Sequence, residues 1–283
     1  MKASKLFCFV CFVLFGFSGF SQTTKNLNIY FYEQPLMFFA KNDKSTEYSG
    51  VEADILKEFI KWCDEKKKIK VIPKYYGYKT FNEFYGAMQS APENTIGAGT
   101  TTITEERKQS FDFSVPYLNN VALFVSQGSV PTIESAEPAA VKTGSTSRPT
   151  PAQTQGLVGL IEKGSVHATY MSDLVKNRSL NISMQPVEGN LNEVLASDPK
   201  YVTYMDIISY RELLKNTDKY FKIHRALSVS GEKFGYMLPK NSEWLPLINE
   251  FMEGGFGFTA TRKYENILET YLGYEVISTV ERF

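Results

Sequence analysis

Cysteine, histidine and tryptophan are scarce: the 283 residues hold three, two and two of them. The two histidines, His167 and His224, stand far apart in sequence and outside any ligand-spaced motif. No metal is therefore expected, and each histidine reads as a surface or packed residue. No Gly-x-Ser-x-Gly elbow and no phosphate-binding loop occurs, so neither a nucleophile-elbow hydrolase nor a nucleotide-phosphate site is indicated. An excess charge of one sign is also missing, because 31 Lys and Arg balance 31 Asp and Glu. A nucleic-acid binder needs a basic surplus, so no nucleic acid is expected as partner. What the chain does have is 43% hydrophobic and 22% charged residues, a globular balance. Its 17 tyrosines and 21 phenylalanines suit either a core or a ligand pocket. The length accommodates one large domain or two ordinary ones.

Residues 1–21 read as a secretory signal peptide. Lys2 and Lys5 precede an apolar run from Leu6 to Phe17, and Gly19-Phe20-Ser21 gives a small-x-small site before Gln22. The run is shorter than the ~20 residues that span a membrane, and no cysteine at the cleavage point suggests a lipid anchor. No second long apolar run follows, so a soluble exported chain is expected. Removing the leader leaves 29 basic against 31 acidic groups, and takes away Cys8 and Cys11. Cys63 alone remains, which excludes an internal disulfide in a monomer and suits a bacterial periplasmic protein better than an extracellular eukaryotic domain. Cys63 falls on a stripe with Val51, Ile55 and Phe59, so it reads as a buried apolar residue rather than a nucleophile.

Beyond the leader, strand and helix patterns alternate. Leu27 to Tyr32 predicts a buried strand, Val51 to Lys66 an amphipathic helix, and Ile69 to Tyr75 a second strand. Thr80 predicts an N-cap for a helix carrying Phe81, Phe84 and Met88. Asn94 to Thr102 reads as a Gly/Thr-rich strand end, and Phe111 to Phe113 starts another extended piece. This β-α-β-α-β order is that of an open α/β sheet. Ser126 to Gly156 is rich in Ser, Thr, Pro, Gly and Ala, and Ala139-Ala140-Val141 within it reads as a short strand at the edge of a second α/β lobe. Leu157 to Lys163 and Leu191 to Ala196 are expected to be helical, Tyr201 to Met205 a strand, and Lys222 to Leu238 an extended return to the first lobe. Leu245 to Met252 and Tyr264 to Leu272 read as closing helices.

The densest chemical signal is Gly97-Ala98-Gly99-Thr100-Thr101-Thr102-Ile103-Thr104-Glu105-Glu106-Arg107. Small residues at a strand end admit close approach of a ligand to the backbone. A guanidinium one turn further can hold a carboxylate by two parallel hydrogen bonds, with backbone N–H groups near Thr100 and Thr102 completing an anion site. The residues alone leave Arg107 open between this role and a structural ion pair.

The run continues through Lys108-Gln109-Ser110-Phe111-Asp112-Phe113-Ser114-Val115-Pro116-Tyr117. From Thr102 to Tyr117 it resembles the signature of the family 3 periplasmic solute-binding proteins, the polar-amino-acid receptors of ABC importers. Gly50-Val51-Glu52-Ala53-Asp54-Ile55 and Phe234-Gly235-Tyr236-Met237-Leu238-Pro239-Lys240 are similar to the family's flanking segments, in the right order. The resemblance covers residues 26 to 273. It implies an α/β type II periplasmic-binding-protein fold, two lobes joined by a two-segment hinge. Lobe 1 would comprise 22–119 and 225–283, and lobe 2 would comprise 120–224. The crossings would lie at Pro116-Tyr117 and near Arg225.

The resemblance also implies a site. Arg107 looks like the clamp for the ligand carboxylate, with Thr100 and Thr102 as its partners. Asp206 resembles the lobe-2 aspartate that holds the α-ammonium group; taken alone, an aspartate after a strand is usually a helix cap. Lys142 and Thr146 fall where lobe 2 would touch the ligand. Tyr30, Tyr32 and Phe38 fall where lobe 1 would supply aromatic walls, with core packing open for at least one of them. The implied function is capture of a small zwitterionic ligand, most simply an amino acid, for an ABC importer, by a monomer with no cofactor and no enzymatic activity. Two alternatives stand beside it. One is an enzyme resembling periplasmic cyclohexadienyl dehydratases, which needs a general acid and would have Glu33 or Glu52 available in lobe 1. The other is a ligand-sensing module without a transport role.

Overall fold

The computed structural model describes residues 22–41, 47–133, 154–178, 180–255 and 257–281. The leader, the Ala139–Val141 segment, Lys142 and Thr146 lie outside the described residues. The first half-sheet begins with β1 (Thr23–Tyr32), followed by a short hairpin of β2 (Phe39–Ala40) and β3 (Tyr48–Ser49). Then come α1 (Val51–Lys67), β4 (Ile69–Tyr78), α2 (Phe81–Met88), β5 (Thr95–Ala98), α3 (Arg107–Ser110) and β6 (Phe111–Phe113).

Each of these elements has a local cause. Val51, Ile55, Phe59 and Cys63 recur every four residues and are fully buried, so α1 is held by its apolar stripe. Cys63 packs within that stripe, and burial pushes its thiol up to about 12, far from a nucleophile's range. Thr80 and Glu83 form a reciprocal capping box at the start of α2. Alternation along β1 sends Leu27, Ile29 and Phe31 into one core and Tyr30 and Tyr32 to the opposite face.

The second half holds β7 (Leu118–Gln127), β8 (Leu157–Ile161), α4 (Val166–Arg178), β9 (Ile182–Pro186), α5 (Leu191–Ser197) and β10 (Tyr201–Asp206). It continues with α6 (Ile207–Lys215), β11 (Phe221–Ile223), a 3-10 turn at Arg225–Leu227 and β12 (Val229–Phe234). Residues 157–161 are thus a strand and not the expected helix. A five-residue buried apolar run has no periodicity to separate the two, and pairing with β9 and β10 decides it. The chain closes with β13 (Met237–Pro239), α7 (Trp244–Glu253), a 3-10 turn at Phe258–Ala260, α8 (Arg262–Tyr271) and α9 (Gly273–Glu281).

The strands form two main sheets. One runs β4-β1-β5-β13-β6, and the other runs β11-β7-β10-β8-β9 with β12 also paired to β7. The chain passes from the first to the second between Phe113 and Leu118, and returns between Phe234 and Met237. The return comes later in the chain than the crossing expected near Arg225, because β11 and β12 on either side of that turn both pair with β7. At the end of the chain, α8 packs on α1 while α9 packs on α6 and β7 of the second lobe.

Both sheets share one topological feature. In the first, β1 is followed by β4 on one side and then β5 on the other, all parallel. In the second, β8 is followed by β9 on one side and then β10 on the other, again parallel. Each sheet therefore has a switch point, where adjoining connections leave in opposite directions and open a crevice beyond the strands' carboxyl ends. Tyr32, Gly99 and Thr100 lie at the first crevice, and Glu162 and Asp206 at the second.

Candidate functional site

The two crevices face each other across a small cavity of about 70 Å³. Lobe 1 contributes Tyr32, Gln34, Phe81, Gly99, Thr100, Thr102 and Arg107; lobe 2 contributes Glu162, Ser165, Val166, His167, Asp206 and Ser209. Of the residues expected from sequence, Arg107, Asp206, Thr100, Thr102 and Tyr32 are brought together here. Tyr30 and Phe38 are placed elsewhere. Tyr30 shares Tyr32's face but sits two residues earlier, against Tyr76 and Tyr78. Phe38 is fully buried on the opposite face, stacked on Phe31 at 4.3 Å between ring centres.

Arg107 is the centre of the lobe-1 wall. It is 7% exposed, and its guanidinium lies 5.3 Å and 5.6 Å from the ring centres of Phe81 and Tyr85. One nitrogen donates to the Thr102 carbonyl at 2.9 Å, and another crosses the cleft to the Gly164 carbonyl at 3.0 Å. No carboxylate lies within ion-pair distance of it among the described residues. Glu232 stands further off, with its oxygens accepting from Asn120 and Tyr170. Burial lowers the guanidinium's proton affinity, yet an arginine stays cationic throughout the working pH range. A buried cation without a contacting anion is costly, and an anionic ligand group relieves that cost.

The loop before Arg107 is anchored from beneath, and the Thr100 N–H expected to complete an anion site is spent on Glu52 instead. Thr100 takes a left-handed backbone at φ 48°, unfavourable for a β-branched residue by roughly 1–2 kcal/mol. Two contacts hold it there: its N–H donates to Glu52 Oε1 at 3.1 Å, and its hydroxyl bonds to the Gln34 side chain. Glu52 is fully buried beneath the loop, where Tyr117 also donates to Oε1 at 2.6 Å while Oε2 has no partner among the described residues. Burial pushes this carboxyl up to about 7, against the opposing pull of the Tyr117 hydroxyl and the Thr100 and Gly99 N–H groups. Gly50, at the start of α1, makes the placement possible. Its φ is 119°, and a Cβ there would stand 2.3 Å from the Met37 carbonyl.

Asp206 ends β10 and caps α6. Its carboxylate accepts from the Ser209 N–H at 2.7 Å and the Ser209 hydroxyl at 3.0 Å. The two sequence readings, cap and ligand wall, are therefore met by one residue, which is 9% exposed on the cavity side. Sequence reasoning missed the segment 162–167 beside it. Glu162, half-buried at the end of β8, is pushed up to about 7 by burial first and by the Asp206 charge second, while the Phe81 N–H at the start of α2 works the other way. Ser165 accepts from the Ala168 N–H at 3.2 Å and so caps α4, and His167 lines the same wall with no partner for its Nε2 among the described residues. The signal was present: a short apolar run, then Gly164 and Ser165, then a helical stretch, which is a strand–turn–cap sequence.

No group of three or more metal-ligating side chains occurs among the described residues. No helix among them is long and apolar enough to cross a membrane. His224 is fully buried, held by Ser126 at 2.8 Å and the Ile133 N–H at 3.0 Å, and serves packing in the second lobe.

The family profile of the bacterial extracellular solute-binding proteins, family 3, matches residues 30–274. The chain belongs to this family. No curated protein sequence shows significant similarity to it. Among solved structures, it is similar to a putative L-cystine ABC transporter protein from Listeria monocytogenes, at 16% identity and a TM-score of 0.65, covering 89% of this chain and 97% of the other. An ancestral arginine-binding protein bound to arginine aligns at 22% identity and a TM-score of 0.63, covering 88% and 98%. The GluR0 ligand-binding core from Nostoc punctiforme, in complex with L-glutamate, aligns at 18% and 0.60, covering 87% and 99%. At these identities the likeness is one of fold, the two-lobed type II architecture of periplasmic binding proteins. Membership of an extracellular solute-binding family places the chain outside the cytoplasm and gives it a binding role. The three proteins are named for cystine, arginine and glutamate, which shows how little that fold says about the ligand.

Proposed function

We propose that this protein captures a free amino acid between its lobes and delivers it to an ABC importer, as a monomeric, non-enzymatic receptor in the periplasm, exported by residues 1–21. The single observation that carries the reading is Arg107, a buried guanidinium with no contacting carboxylate among the described residues, facing Asp206 across one cavity. A zwitterion satisfies both walls at once. Its carboxylate meets the lobe-1 cation and its ammonium the lobe-2 anion, and only the closed arrangement makes both contacts, so binding favours closure. Similar structures belong to proteins named for amino-acid ligands and ABC transporters, which supports the same reading. Neither carboxyl that the sequence offered as a general acid lines the cavity: Glu33 pairs with Lys79 on the surface, and Glu52 lies beneath the loop.

A thermal-shift screen of refolded protein tests this, using the twenty amino acids, several dicarboxylates and prephenate. A ligand at about a thousand times its dissociation constant adds roughly 4 kcal/mol, or about 8–16 °C. A large shift with one or a few amino acids is expected. No shift with any amino acid would overturn the reading, and consumption of prephenate would replace it with an enzymatic one.

Asp206 allows cap and charge to be separated. Asp206→Asn keeps an acceptor for Ser209, so stability should stay within about 0.5 kcal/mol, whereas Asp206→Ala should lose about 1 kcal/mol. Both variants should lose roughly tenfold or more in ligand affinity. Urea titration and calorimetry read the two effects independently; an Asn variant that binds like wild type would remove Asp206 from the ammonium site.

A further inference from the structure

We propose that Glu162 is a specificity-determining residue, through which this cavity prefers an amino acid carrying a second cationic group. The inference rests on the amino-acid reading above and adds a ligand class to it. The charges at the cavity do not balance for a simple zwitterion. Lobe 1 offers one cation, Arg107, and lobe 2 offers two carboxylates, Asp206 and Glu162. An α-carboxylate and an α-ammonium use Arg107 and Asp206, which leaves Glu162.

Glu162 has no cation of its own. It is in none of the ion pairs among the described residues, and its neighbour Lys163 is exposed outside the cavity lining. The groups facing it are Asp206, the Tyr32 ring and the Phe81 N–H. Two of these feel its charge unfavourably. Asp206 repels it, and Tyr32, buried against both carboxylates, is held strongly in its neutral form. The interior is therefore negative as a whole, and a ligand with net charge +1 matches it where a neutral zwitterion does not. His167 Nε2, without a partner among the described residues, lines the same wall.

The test is calorimetry at pH 7.5 on the refolded protein with matched pairs that differ only by a terminal amine. The pairs are 2,4-diaminobutyrate and 2-aminobutyrate, ornithine and norvaline, and lysine and norleucine. In at least one pair the amine-bearing member should bind about tenfold tighter or better. Glu162→Gln should cut that ratio below about threefold, chiefly by weakening the amine-bearing member, with circular dichroism showing that the variant is folded. Neutral members binding as tightly as their amine-bearing partners in every pair would overturn the inference and leave the amino-acid reading intact. A ratio that survives Glu162→Gln would overturn it too. Failure of every amino acid to bind would bring down the reading beneath it, and the inference with it.

Discussion

Arg107→Ala is expected to lower ligand affinity by roughly 30- to 4000-fold, a loss on the order of 2–5 kcal/mol. Its size follows from burial. The guanidinium is 7% exposed and flanked by two aromatic rings, so a ligand carboxylate placed against it is withdrawn from water. Truncation leaves that carboxylate in the same dry place without a counter-charge, and the cost of the unpaired ion exceeds the value of a surface pair. Arg107→Lys should recover only part of the loss, because a point charge cannot reproduce the two-pronged geometry that also reaches the Thr102 and Gly164 carbonyls. Calorimetry with the ligand found in the thermal screen reads the effect, with circular dichroism showing that the variants are folded. A binding loss below about fivefold in Arg107→Ala would sink the clamp assignment.

The reach of the sequence can be traced residue by residue. The stripe of α1, the capping box at Thr80 and the motif around Arg107 are local patterns, and each stands where the spacing places it. Segment 157–161 was illegible, because a buried parallel strand and a buried helical turn share one apolar signature and only the neighbours β9 and β10 tell them apart. Reading that segment as helical hid Glu162, Ser165 and His167 at its end. The aromatic walls were legible only as a set of candidates. Tyr30 and Tyr32 share a face by period-two alternation, but only the residue at the strand's end reaches the cavity, and Phe38 packs against Phe31 on the other side. The role of Glu52 was invisible for a different reason. Its partners Thr100, Tyr117 and Tyr236 are distant in sequence and meet only because both interlobe crossings pass over the start of α1.

That convergence yields the second large effect: the stability difference between wild type and Glu52→Gln should fall by on the order of 3 kcal/mol as pH rises from about 4.5 to above 7. Glu52 is raised from its ordinary 4.5 to about 7 in the folded state, chiefly by burial. In that window the folded chain holds a proton that the unfolded chain has released, so rising pH costs stability. The contribution is complete below the unfolded value and is lost as pH passes through about 7. Glutamine cannot titrate, and whatever its buried amide costs is independent of pH. Glu162 has the same sign but is present in both proteins and cancels in the difference. His224 acts in the opposite direction. Burial brings it down to about 4, so its contribution is present above its ordinary 6.5 and disappears as pH falls through 4. In wild type the two slopes oppose each other between about 4.5 and 6.5; Glu52→Gln should weaken that opposition and lose more stability on acidification than wild type does. Urea denaturation of ligand-free protein at four pH values from 4.5 to 7.5 measures both curves. A difference independent of pH would mean that water solvates Oε2 in solution, and that the contact joining the Thr100 loop to Tyr117 does not depend on a proton.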